Sequence, residues 1–173
     1  MFAGLPGTGK TTLARALADE RNAVYLRIDT IERALHQGRT DGEDIGPAGY
    51  LVAYALAKEN LRRHGRIVVA DAVNPLKATR DAWREIAKAV TCPLFEIELI
   101  CSDRDEHRRR IETRPVEEDG SLPLTWQHVI DRFYEPWDRP HRLIDTAKRS
   151  PEQALTEIRR WIDSDVSAST GHR

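Results

Sequence analysis

Cysteine is scarce: the 173 residues contain two, Cys92 and Cys101. Their spacing matches no zinc-ligand pattern, and they read as reduced thiols in or near a core, which fits a cytoplasmic setting. None of the six histidines stands at ligand spacing from another, so no protein-ligated transition metal is expected. An excess of charge is missing too. Lys and Arg total 27 against 28 for Asp and Glu, a formal net charge of -1. That balance gives no global pull toward nucleic acid or an acidic membrane, so any basic site must be local. No apolar run approaches the length that spans a bilayer. The Gly-rich start lacks a basic n-region, so no signal peptide is expected. There is no internal repeat and no low-complexity block, and the length suits one domain.

The residues present are those of a soluble globular protein, 40% hydrophobic and 32% charged. Apolar β-rich runs alternate with helix-like runs. Phe2 and Ala3 lead into a Gly-rich loop, and residues 11–21 read as a helix with Leu13, Ala14, Leu17 and Ala18 on one face. A strand over 23–28 ends at Asp29, and a short helix covers 30–36. Residues 37–49 are polar and Gly-rich and predict a mobile loop. A long helix over 50–64 stops at Gly65. A strand over 66–70 ends at Asp71, a helix covers 78–90, and a strand covers 94–100. Ser102 is placed to cap a helix running to about Thr113. Residues 115–124 form a loop, and residues 125–134 a helix that packs Trp126, Val129, Ile130 and Phe133 inward. Tyr50 and Tyr54 read as core, and Tyr134 and Trp137 as partly exposed. Leu143 and Ile144 form a short strand before Asp145, and residues 151–163 are an amphipathic helix. One domain over 1–165 is expected, with a frayed polar tail over 166–173.

Strands that alternate with helices predict a parallel sheet wrapped on both faces, an α/β fold with ligands at the carboxyl ends of its strands. Gly4, Asp29, Asp71, Ser102 and Asp145 all fall at predicted strand ends.

One stretch carries recognisable chemistry. GLPGTGKT, from Gly4 to Thr11, fits the phosphate-cradling pattern G-x-x-x-x-G-K-[ST] and lies between a strand and a helix. Gly4, Gly7 and Gly9 let the backbone turn its N–H groups onto phosphate oxygens. The following helix adds the positive end of its dipole. Lys10 reaches the β- and γ-phosphates, and the Thr11 hydroxyl can ligate Mg²⁺. The expected nucleotide-binding set is Gly4, Pro6, Gly7, Thr8, Gly9, Lys10, Thr11 and Thr12. Only three residues precede Gly4, whereas strands run to about five or six. Either the strand begins upstream of Met1 or the sheet tolerates a stub.

Acids and arginines follow that suit phosphoryl transfer. An acid at Asp71 can hold Mg²⁺, and an acid at Asp29 can accept the proton of an acceptor hydroxyl, although Asp29 could equally cap the next helix. In DRDEHRRRIETR, Arg110 and Arg114 are four apart and share a helix face. Their guanidinium forks can stabilise a transferring phosphoryl group. Arg104, Arg108 and Arg109 read instead as a solvated face paired with neighbouring acids. A helix–loop–helix with arginines, over about 103–137, reads as a lid. No N-K-x-D guanine-reading segment is present.

GLPGTGKT, RIDT, VVADAVNP, HRRRIETRP, TWQHVIDRFYEPW and LIDTA occur in that order. Together they resemble the small P-loop kinases often labelled AAA-domain ATPases, a group similar to chloramphenicol phosphotransferase, zeta toxins and the kinase domain of polynucleotide kinase. The resemblance spans nearly the whole chain. It implies an adenylate-kinase-like P-loop NTPase core with strand order 2-3-1-4-5, helices on both faces and a helical lid. It implies Lys10 and Thr11 on ATP and Mg²⁺, Asp29 as the base, and Arg110 and Arg114 as lid arginines. It also implies Asp145 and Thr146 near the adenine, and Asn74 and Arg80 facing the acceptor. Nucleic-acid kinases of this kind place an arginine three residues after the base. Here that position is Glu32, with Arg33 one further on.

The expected activity is transfer of the ATP γ-phosphate to a hydroxyl of a small molecule. Two alternatives stand beside it: a 5′-hydroxyl polynucleotide kinase, disfavoured by the charge balance and Glu32, and a non-catalytic ATP-binding regulatory module.

Overall fold

Each strand is followed by a helix, so successive strands run the same way and pair in parallel. The computed structural model of the protein describes residues 1–38, 44–63, 65–115 and 124–170. Five strands form one sheet: β1 (Phe2–Ala3), β2 (Val24–Arg27), β3 (Val68–Asp71), β4 (Ile97–Ile100) and β5 (Arg142–Asp145). Their order is β2-β3-β1-β4-β5, as the resemblance implies. Between them run α1 (Lys10–Glu20), α2 (Ile28–Gln37), α3 (Ala48–Arg62), α4 (Lys77–Ala89), α5 (Arg104–Glu112) and α6 (Trp126–Ile130), and α7 (Pro151–Thr170) follows β5.

Side chains alternate across each strand, so the sheet has two apolar faces. On one, Phe2, Val69, Ile97, Leu99 and Ile144 pack against Leu13, Ala14 and Leu17 of α1 and Ala154 and Ile158 of α7. On the other, Ala3, Leu26 and Ala70 meet Ala53 and Ala57 of α3 and Trp83 of α4, with Tyr50 and Tyr54 packed alongside.

The two-residue β1 lies at the centre of the sheet and is fully buried. Bonds beyond its paired residues extend its ladder. The Met1 amine donates to Phe95 O at 2.7 Å, Ile97 N donates to Met1 O, and Gly4 N to Val73 O. The Asn74 amide donates to Phe2 O at 2.8 Å. A side chain thus supplies a bond that a longer ladder would have taken from backbone.

Several boundaries differ from the sequence reading. β2 ends at Arg27 and α2 begins at Ile28, so Asp29 sits in the first helical turn rather than at a strand end. Asp103, not Ser102, caps α5, accepting from the N–H groups of Asp105 and Glu106. The Ser102 hydroxyl instead donates to Asp145 at 2.6 Å and ties the ends of β4 and β5 together. α3 ends before Gly65, at Arg62. α6 is one turn long, opened by a Thr125–His128 capping box and ending at Ile130. Beyond it Glu135 N donates to Pro75 O, and Pro136 cannot continue a helix. Phe133, expected in the core, is therefore 70% exposed. α7 continues through Thr170 instead of ending at 163, helped by a bond from the Ser167 hydroxyl to Asp163 O. Parts of the predicted loops (39–43 and 116–123), position 64 and the last three residues of the tail lie outside the described residues. Both cysteines are free. No helix among the described residues is long and apolar enough to cross a membrane.

Candidate active site

The Gly-rich loop leaves the sheet where β1 runs between β3 and β4. Gly4 has φ +130°, and a Cβ on it would stand 2.2 Å from Leu99 O, so only glycine fits that passage. Gly7, at φ +81°, meets α5: a Cβ there would come within 2.7 Å of Ile111 Cδ1. His107 of α5 lies 2.7 Å from Pro6 O through its Nε2. The Thr8 hydroxyl donates to Leu5 O, and the Thr146 hydroxyl donates to Thr8 O at 3.1 Å. The loop is therefore braced from two sides, by α5 and by the segment after β5. Gly9 forms the N-cap of α1, whose free N–H groups open toward the loop.

A cavity of about 720 Å³ opens over this loop. Pro6, Gly7, Gly9, Lys10, Thr11 and Thr12 form one wall, and Asp29, Glu32 and Asp71 another. Arg110, Arg114 and Arg132 close it from the side of α5 and α6. Of the expected site residues, this cavity brings together Pro6, Gly7, Gly9, Lys10, Thr11, Thr12, Asp29, Asp71, Arg110 and Arg114, whereas Gly4, Thr8 and Thr146 do not line it. Asp29 does not cap α2: Arg27 holds the cap position, with no side-chain cap bond. Asp29 pairs instead with Arg27 at 3.3 Å, its side chain 51% exposed.

Lys10 is 7% exposed and its Nζ donates to Leu5 O at 2.8 Å. Burial lowers its pKa to about 8, against the opposing pull of Asp71 and Asp29. Binding a phosphate beside it must restore the proton. We expect nucleotide affinity to be steady up to about pH 8 and to weaken above it by up to about tenfold per pH unit, with proton uptake on binding. Calorimetry of a non-hydrolysable ATP analogue in buffers of different ionisation enthalpy checks this; flat affinity to about pH 9.5 would contradict it.

Asp71 is buried, and one of its carboxylate oxygens accepts from the Tyr25 hydroxyl at 2.7 Å. The bond and burial together raise the tyrosine's pKa, burial most. Tyr25 thereby holds the carboxylate's orientation at the end of β3, where Asp71 lines the cavity. A buried carboxylate and the Thr11 hydroxyl on the same cavity are a hard-oxygen donor set that fits Mg²⁺, which keeps several waters of its own. Arg110 is pre-set: it donates to Glu106 at 2.7 Å and to the Thr146 hydroxyl at 2.8 Å and carbonyl at 3.0 Å.

Three expected residues have other work. Arg80, predicted to face an acceptor, is 0% exposed. It donates to the carbonyls of Glu135 and Pro136 and lies over the Trp137 ring, 4.6 Å from its centroid. Asn74, also 0% exposed, donates to Phe2 O and accepts from the Trp83 indole. Neither lines the cavity; both lock the chain after α6 and the short β1 in place. Asp145 accepts from Ser102 and from the Ala147 N–H and pairs with Lys148. Burial would raise its pKa, but these bonds outweigh that and hold it at about 2. Its carboxylate closes a turn. Replacing Arg80 with Ala takes the side-chain donor from two part-buried carbonyls and leaves a void beside Trp137, and should cost about 4 kcal/mol of stability. Urea unfolding measures it, and a loss within about 1 kcal/mol would remove the clamp role.

Sequence reasoning missed Tyr25, Arg27, His107 and Arg132. Tyr25 and His107 act across the fold, on Asp71 and Pro6, and Arg132 reaches the cavity from beyond α6, so nothing local marks them; Arg27 pairs with Asp29 only two residues away. The two-residue spacing of Arg27 and Asp29 is the one signal the sequence offers.

No curated protein matches this sequence. Solved structures do, over nearly the whole chain. The Mycobacterium tuberculosis APS kinase CysC, in complex with AMPPNP and APS, is 19% identical, with a TM-score of 0.69 over 94% of this chain and 95% of that one. A gluconokinase from Sinorhizobium meliloti is 18% identical, with a TM-score of 0.61 over 97% and 95%. Chaetomium thermophilum Kti12, in complex with ADP-AlF3, is 22% identical, with a TM-score of 0.64 over 91% and 95%. These likenesses show a shared P-loop kinase fold. The sequence itself matches the AAA domain family over residues 1–136, most of its length, and the chain belongs to that family.

Proposed function

We propose that the protein transfers the γ-phosphate of ATP to a hydroxyl of a small molecule. The observation that carries this reading is one cavity that joins the Lys10 loop, the buried Asp71 and the open Asp29. The loop N–H groups and Lys10 hold the phosphates, and Arg110 and Arg114 neutralise charge on the transferring group. The acceptor oxygen bonds to the γ-phosphorus as the bond to the β–γ bridging oxygen breaks. Asp29 takes the hydroxyl proton and ADP leaves. Thr11 and Asp71 would hold Mg²⁺, which would supply neutralisation of the phosphate charge. The lid expected over about 103–137, whose residues 116–123 lie outside the described residues, contributes Arg110 and Arg114 to the cavity, within a single domain over 1–165. The names of two structural neighbours, an APS kinase and a gluconokinase, support a small-molecule acceptor.

A second reading, a nucleotide-dependent regulatory module, has the likeness to Kti12 in its favour. Phosphate release from ATP with no labelled acceptor, despite Asp29, would favour it. A polynucleotide acceptor predicts salt-sensitive binding of 5′-hydroxyl oligonucleotides, and our reading predicts none.

A further inference from the structure

A phosphate loop binds through N–H groups that face inward, so its carbonyls must be held the other way. Leu5 O is held from within the loop, by the Thr8 hydroxyl and by Lys10 Nζ, each at 2.8 Å. Pro6 O is held from outside it. His107 Nε2 lies 2.7 Å from that oxygen. A carbonyl only accepts, so Nε2 carries the proton and donates. Among the described residues no peptide is cis, and in a planar trans peptide the N–H points opposite the C=O. The bond that draws Pro6 O toward α5 therefore turns the Gly7 N–H away from His107. Among the described residues that N–H donates to nothing, while Gly7 lines the cavity.

Packing on both sides keeps the imidazole in this pose. His107 is buried and stands one turn before Ile111 on α5, so the two share a helix face against the loop. Gly7 has no side chain to hold α5 off: a Cβ there would lie 2.7 Å from Ile111 Cδ1 and 3.2 Å from His107 Cδ2. The Trp126 ring of α6 meets the imidazole nearly at right angles, with centroids 5.2 Å apart and planes at 77°. We infer that His107 is a positioning residue for phosphate binding: its Nε2–H fixes the Pro6–Gly7 peptide so that the Gly7 N–H is presented to the nucleotide phosphates. The donor is set before the nucleotide arrives, so binding does not have to order it. The inference rests on the nucleotide-binding part of the kinase reading above and is independent of the acceptor.

The test removes the donor and then restores it. His107→Leu keeps apolar bulk and loses the N–H; His107→Gln keeps an N–H near the Nε2 position. Calorimetry reads the affinity of each protein for adenosine and for a non-hydrolysable ATP analogue, and γ-labelled ATP reads transfer. The Gly7 amide proton resonance of wild type is followed as the analogue binds. His107→Leu should weaken the analogue about tenfold and adenosine by less than about twofold, the scale of one oriented hydrogen bond to a charged group. His107→Gln should return the analogue to within about threefold of wild type, and the wild-type Gly7 resonance should shift on binding. Unchanged analogue affinity in His107→Leu, an equal loss for adenosine, or a loss that His107→Gln does not relieve overturns the positioning role and leaves the kinase reading standing. Should His107→Leu fail to fold, the wild-type resonance decides: a Gly7 amide that does not move on binding overturns the role. The expected pattern without transfer by wild type keeps the role of His107 and overturns the kinase reading. Wild type that does not bind the analogue overturns both.

Discussion

Asp29→Asn is expected to lower turnover about a thousandfold and leave nucleotide affinity within about twofold, because a positioned base contributes about 10²–10⁴ in rate. Asp29 lies on the cavity wall in the first turn of α2 and touches the fold through one long ion pair with Arg27. Asparagine keeps the shape and removes the proton acceptor. The substitution should therefore fold normally, with a melting temperature close to that of wild type. Arg27 still binds the amide oxygen, so the acceptor pocket keeps its outline. Steady-state kinetics with calorimetric nucleotide titration separates the two effects. Retained turnover would show that the hydroxyl loses its proton elsewhere and would sink the role of Asp29.

Lys10→Met should act in opposite directions on stability and activity. The ammonium is buried, and burial lowers its pKa to about 8, so the fold disfavours the charge it carries at neutral pH. The sign follows from proton counts. Between about pH 8 and about pH 10.5 the unfolded chain binds the proton and the folded one does not, so stability rises with pH across that window and carries a penalty below it. Methionine removes the charge and fills the same volume. The ligand-free protein should melt at or above the wild-type temperature. Meanwhile kcat/KM should fall about 10³-fold, about 4 kcal/mol of transition-state stabilisation, the scale of losing a preorganised charged donor. A destabilised variant would mean that the bond to Leu5 O matters more than the buried charge. An active one would remove Lys10 from the site.

Much of this site could be read from local sequence, because its chemistry is local. The loop from Gly4 to Thr12 is one continuous turn whose backbone requirements are written in its glycines. Asp71 follows an apolar strand, and the arginines at 110 and 114 lie one helical turn apart by count. Strand order came from resemblance, and the sheet agrees with it. Lateral contacts were not legible. The resemblance implies that Arg80 faces the acceptor. Two backbone carbonyls after α6 and the Trp137 ring hold it in the interior, and their approach is set by tertiary packing. The apolar spacing of Trp126, Val129, Ile130 and Phe133 fits a longer helix, but α6 ends at Ile130, and the Glu135 N–H bond to Pro75 O together with Pro136 takes the chain beyond it out of helix. Asn74 looked like an acceptor contact. It completes the hydrogen-bonding of a strand too short to complete its own, a need visible only once β1 is placed between β3 and β4.

The central claim is that bound ATP gives its γ-phosphate to a small-molecule hydroxyl with Asp29 as base. The most direct measurement incubates wild type and Asp29→Asn with γ-labelled ATP and Mg²⁺ against fractionated small metabolites, and follows the label. The account predicts label in a small-molecule fraction for wild type and about a thousandfold slower labelling for the variant. Tight ATP binding with label found only in inorganic phosphate, or equal labelling by both proteins, would contradict it.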